Sequence, residues 1–227
     1  MSDAPEEPLR RGFSNELGQL RLQVEVMAMQ VDENLQRMHR FLETGDASVS
    51  QAALDADDGI DAMNVSLTER CYELIAREAP VASDLRFVVS VLRVLSELER
   101  ISDLSLRVVK LTEEWAVLRS YGDIYEILLA MAGTAVSQFR IAVQAWSAQD
   151  LGLAEQLARS DRVMDEANGQ LTRRLLEMQG PDAIRGALAA NTTGRSMDRI
   201  ADHAAIIGAR LRYLITGEPA HLATEIR

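Results

Sequence analysis

Between residues 13 and 41 the apolar side chains Phe13, Leu17, Leu20, Val24, Met27, Val31, Leu35, Met38 and Phe41 recur at steps of three and four. A helix with 3.6 residues per turn gathers such positions into one stripe; a strand scatters them over both faces. The stripe predicts a helix of about 30 residues, roughly 45 Å long at 1.5 Å per residue. An apolar stripe of that length needs other long helices to cover it. No later segment alternates with a period of two, so no sheet is expected.

Thr44-Gly45-Asp46 punctuates the first helix, and a second spans about 47–77 until Ala79-Pro80. Ser83 and Asp84 are candidate N-caps for a third, which runs to about Thr112. Residues 113–122 form a weakly marked linker. A fourth helix is expected over about 123–147 and a fifth over 151–178, closed by Gly180-Pro181-Asp182. The sixth runs to Ile215, before Thr216-Gly217-Glu218-Pro219. The expectation is an all-α chain of six long helices in two tandem three-helix bundles. Residues 1–12 would be a flexible tail, 13–115 the first bundle, 119–217 the second, and 218–227 a C-terminal tail.

Composition narrows the function classes. Hydrophobic residues make up 47% of the chain and aromatic ones only 4%, so the core must be aliphatic. A formal net charge of −11 repels nucleic-acid phosphates and anionic lipid, so neither is expected as a direct partner. Cys71 is the only cysteine, so no intrachain disulfide and no cysteine metal motif can form; it reads as a small core residue. Met27, Met29 and Met38 likewise read as core rather than as a sulfur site. The polar, acidic N-terminus has no apolar h-region, and no run of 18 apolar residues appears. A soluble cytoplasmic protein with no membrane-inserted segment is expected.

The chain also repeats itself. LERISD at 98–103 is answered by MDRIADH at 197–203, pairing Glu99 and Asp103 with Asp198 and Asp202. Upstream in each half lies another four-spaced acid pair, Asp57 and Asp61, then Asp161 and Asp165. Residues four apart share one helix face, where like charges cost a few tenths of a kcal/mol. One such pair is an ordinary solvated face, but four of them arranged about two turns are harder to dismiss. In an antiparallel hairpin, residues at one level have numbers adding to a constant. Asp57 with Asp103 and Asp61 with Glu99 both give 160, centred on Pro80. Asp161 with Asp202 and Asp165 with Asp198 both give 363, beside Pro181. If the faces meet, each half places four carboxylates together, a set that demands a cation or protonation. Oxygen ligands suit magnesium, manganese, calcium or iron better than structural zinc. Arg100 and Arg199 could support the acids from behind or form plain salt bridges. His203 fits a structural hydrogen bond at least as well as ligation, and His39 reads as solvated.

These words resemble the PhoU family of phosphate-signalling regulators. The resemblance rests on DDGID, PVASDLR at 80–86, LERISD, DRVMD, MDRIADH and YLITGE at 213–218, and spans about residues 11–218. It implies two three-helix bundles whose acid motifs bind multinuclear metal clusters, with iron or zinc among the metals. It also implies a negative regulator linking the phosphate ABC transporter ATPase to the phosphate sensor histidine kinase, with a homodimer as a candidate assembly. Ser102 and Ala201 depart from the family's usual glycine, and Asp198 from its usual glutamate.

Two other classes compete with this reading. A carboxylate-bridged di-metal oxidase uses Glu-x-x-His on two helices. The one Glu-x-x-His here, Glu218 to His221, is interrupted by Pro219. No Gly-rich phosphate loop and no nucleophile elbow occur, so no enzyme activity is expected. A metal-free helical adaptor is the third class.

Overall fold

The computed structural model describes residues 6–159 and 161–226, with side chains described for 12–159 and 162–223. The order is α1 (Glu6–Thr44), α2 (Ala47–Glu78), α3 (Ala82–Val109), a short α4 (Trp115–Ser120), α5 (Gly122–Ala148), α6 (Leu151–Ala158), α7 (Asp161–Leu176) and α8 (Ala183–Thr216). A 3₁₀ segment, Pro219–Ile226, follows and packs on α8. No strand occurs among the described residues. The first three helices pack on one another as one bundle, and α5 to α8 form the second. The bundles meet along two seams, α3 against α8 and α1 against α5, of which the first is the more extensive.

The stripe on α1 is buried from Leu20 to Phe41, with Phe13 and Leu17 partly buried toward the end of the bundle. Met29 is the exception: it faces water at 63% exposure, because it lies off the stripe. Met27 and Met38 are core as expected. Cys71 is buried as well, and burial pushes its thiol up to about 12. α5 is long and apolar enough to cross a membrane by composition. Its apolar residues from Ile124 to Trp146 are instead used in packing against α8, α1, α6 and α7.

Several boundaries differ from the sequence expectation. The helix expected from Phe13 begins at Glu6, so residues 6–12 are helical; residues 1–5 of the expected tail lie outside the described residues. α3 starts at Ala82, and its N-cap is Val81, which has no side-chain acceptor. Asp84 therefore lies in the first turn instead of capping it. The single helix expected over 151–178 is divided into α6 and α7. The Arg159 N–H turns back to the Gln156 carbonyl at 3.1 Å, a 3₁₀-type closure that ends α6. The expected linker contains α4. The turns at Pro80 and Pro181 lie where expected, between α2 and α3 and between α7 and α8.

α4 ties the bundles together at one end. Trp115 Nε1 donates to the Leu42 carbonyl at 2.9 Å, and the Tyr125 hydroxyl donates to the same oxygen at 2.7 Å. Carbonyls in the last turn of a helix lack intrahelical partners, so the end of α1 is satisfied from the second half of the chain. Gly45 makes the approach feasible. Its φ is +68°, and a Cβ there would lie 2.3 Å from Trp115 Cδ2. Gly45→Ala should therefore cost more than the roughly 1 kcal/mol of a left-handed alanine, since the indole must also move. A lowered thermal midpoint, with quenched or shifted tryptophan emission, is the expected result.

Candidate metal centre

The first hairpin aligns its acids almost as the residue numbers predict. Ser102 Oγ donates to Asp57 Oδ1 at 2.9 Å, and Ser50 Oγ donates to the Val109 carbonyl at 2.7 Å. Each pair adds to 159, one short of the expected 160. The four acids also share a face. Desolvation raises the Asp57 carboxyl above its usual range, against the Ser102 hydrogen bond, and the charges of Asp61 and Asp103 push the same way. Glu99 is raised by desolvation, then by Asp103 and Asp61, with Arg100 opposing and Asp57 adding a little. Asp57 and Glu99 are half-buried, whereas Asp61 and Asp103 are exposed and make no hydrogen bond among the described residues. Ser102, where the resembled family has glycine, is the residue that orients Asp57.

Among the described residues, no three carboxylate, imidazole or thiolate groups are gathered closely enough to hold an ion as they stand. The donor set nevertheless fits a hard cation: only carboxylate oxygens, on two facing helices, with the exposed pair free to rotate inward. When bound, such an ion would supply the positive charge that four mutually repelling carboxylates lack.

The second hairpin is less complete. A Cβ at Gly194 would lie 2.3 Å from Leu171 Cδ2, a pairing that adds to 365 against the expected 363. The register is thus within about half a turn of the prediction. Asp165 and Asp202 are exposed, while Asp198 is half-buried and ion-paired with Arg195 at 3.8 Å. The Asp161 side chain lies outside the described residues.

No motif or spacing singles out Glu97. It has no exposure to water, yet it carries a carboxylate into the seam between α3 and α8. His203 Nδ1 contacts its Oε2 at 2.5 Å from α8. Arg93 Nη2 lies 2.9 Å from Oε1, an ion-pair contact rather than a directed hydrogen bond. His203 is therefore a structural partner, as its helical position suggested, and it joins the two bundles. His39 is paired with Glu43 at 3.6 Å on the same helix. Arg100 and Arg199 hold no acid in an ion pair among the described residues; both line a pocket between α3 and α8.

Two predictions follow from this geometry. His203→Ala leaves a buried carboxylate oxygen without its partner, at a cost of about 1–3 kcal/mol. Thermal melting should show the fall, and Glu97→Gln, which keeps an amide able to bond the ring, should lose less. The second concerns pH. With folded values raised, the native chain holds more protons than the unfolded one just above the ordinary values of 3.8 and 4.5. Their contribution to stability is complete below that window and is lost as pH rises through the raised values. In chelator-treated protein, Asp57→Asn with Glu99→Gln should raise the melting temperature at neutral pH. Well below the ordinary values the variant should melt with the parent.

Two helical bundles, each with four-spaced acids on the helices flanking a proline turn, define a class of all-α, acid-bearing scaffold. The model of one family, the PhoU domain, matches residues 24–112 and again 128–211. The chain belongs to the PhoU family. It is 30% identical over 212 residues to the phosphate-specific transport system accessory protein PhoU homolog 1 of Thermotoga maritima, covering 91% of this chain and 90% of that one. The Escherichia coli accessory protein PhoU is 25% identical over 91% of this chain and 86% of its own length. The crystal structure of PhoU from Pseudomonas aeruginosa superposes with a TM-score of 0.81 at 28% identity, over 91% of this chain and all of that one.

Proposed function

We propose that this chain is a metal-binding accessory protein of phosphate transport that restrains the phosphate-starvation response while phosphate is plentiful. It acts by contact, at the cytoplasmic side of the membrane, with the ATPase of the phosphate ABC transporter and with the phosphate sensor histidine kinase. The observation that carries this reading is the PhoU-domain match in both halves of the chain. The names of the relatives, phosphate-specific transport system accessory proteins, supply the system. The shared electrostatic field of Asp57, Asp61, Glu99 and Asp103 supports metal binding in the first bundle. Asp161, Asp165, Asp198 and Asp202 are the proposed counterpart in the second, with iron, zinc, manganese, magnesium or calcium as candidate ions.

An oxidase reading finds no support. Glu218 and His221 lie beside each other in the C-terminal segment, paired at 3.5 Å, away from the carboxylate faces. A scaffold of this kind works by presenting a surface whose charge depends on occupancy. Bound cations convert an acidic face into a neutral or positive one, and that changes which partner surface it can meet.

Deleting the gene should leave the starvation response on in high phosphate, read by a reporter of that response. Normal repression in a strain with no second copy overturns the regulatory assignment. Elemental analysis tests the metal separately. Substituting Glu99 and Asp103 with Gln and Asn should remove about half of the bound metal, and an eight-acid variant should remove it all. Unchanged metal content in that variant ends the metal assignment.

A further inference from the structure

Three arginines line one pocket, against two carboxylates, in a chain whose net charge is −11. The pocket, about 250 Å³, lies in the seam between the bundles. Arg100 and Arg107 reach it from α3, and Arg199 and His203 from α8. Among the described residues none of the three arginines makes a hydrogen bond or a close ion pair, although the charge of Arg100 acts on Glu99. Two larger grooves differ. Arg174 is paired with Asp123 and Glu177 between α5 and α7, and Arg140 with Asp32 between α1 and α5, so each groove keeps one unpaired guanidinium.

We infer that this pocket binds hydrogen phosphate, held by Arg100, Arg107 and Arg199. Three arginines against two carboxylates leave the pocket positive, and an oxyanion held among the guanidinium groups lowers their mutual repulsion while filling planar donor forks. The Nδ1 of His203 is held by Glu97, so its Nε2 is the ring nitrogen left for the ligand. The Glu99 and Asp103 carboxylates line the same pocket. A carboxylate there accepts the proton that hydrogen phosphate retains near neutrality and repels sulfate, which has none to give. The ligand would be contacted from both bundles at once and would report phosphate directly to the seam. That consequence rests on the regulatory reading above; binding itself does not.

The test is isothermal titration of inorganic phosphate into the full, chelator-treated chain at fixed ionic strength, with sulfate and chloride arms and thermal melts in parallel. Saturable phosphate binding is expected, with a phosphate-dependent rise in melting temperature. Arg107→Gln with Arg199→Gln should weaken it at least tenfold, and sulfate should bind at least tenfold more weakly than phosphate. Both arginines are exposed and make no hydrogen bond or ion pair among the described residues, so the ligand-free variant should melt no lower than the parent; Arg107→Lys with Arg199→Lys, which keeps the charge, checks that the loss is not misfolding. No saturable binding, equal response to sulfate, or binding seen only after metal loading and indifferent to the arginines each overturns the inference. If binding is absent while gene deletion still leaves the starvation response on, only the pocket assignment falls.

Discussion

Glu97 carries a carboxylate into a seam from which water is excluded, and the two bundles depend on how it is satisfied. An ionised group without partners in that position would cost several kcal/mol. The partners come from different places: Arg93 from one turn earlier on α3, and His203 from α8. Neither bundle alone can satisfy both oxygens. The contact therefore helps to fix which face of α3 meets which face of α8.

Fixing that seam also places the charged groups beside it. Glu97 is two residues before Glu99, and His203 directly follows Asp202, so the pair that joins the bundles is adjacent to an acid motif of each. The pocket lined by Glu99, Asp103, Arg100, Arg107, Arg199 and His203 exists only because α3 and α8 meet in this register. At the other end, Trp115 and Tyr125 bonding to Leu42 hold the second bundle against the α1–α2 turn. A scaffold fastened at both ends can pass a change in charge at its seam to its outer faces. This is the physical content of an accessory role.

Much of the first hairpin was legible because helical geometry is regular. Equal spacing from Pro80 placed Asp57 against Asp103 to within one residue, and the Ser102 contact records that agreement. The second hairpin was read less well. Its first helix breaks after Ala158, which a continuous hydrophobic pattern does not announce, and its close approach of Leu171 to Gly194 shifts the levels by about half a turn. Asp198 then takes Arg195 as a partner, a choice of rotamer and neighbour invisible in a motif. Met29 shows the same limit on a smaller scale: its step fits a helix, yet the stripe passes it by.

The sequence by itself determined the all-α class, the long helices, the repeat, the turns at Pro80 and Pro181, and the acids that share a helix face. All of these follow from spacing along one chain, where periods of 3.6 residues and the geometry of proline act locally. Only the tertiary structure decided that Glu97 is buried, that His203 reaches across to it, and that three arginines face one pocket. Those facts depend on the rotation and register of α3 against α8, set by packing between residues about a hundred positions apart. No local pattern encodes that rotation, because many aliphatic seams are nearly equal in energy until a buried charge makes one of them specific.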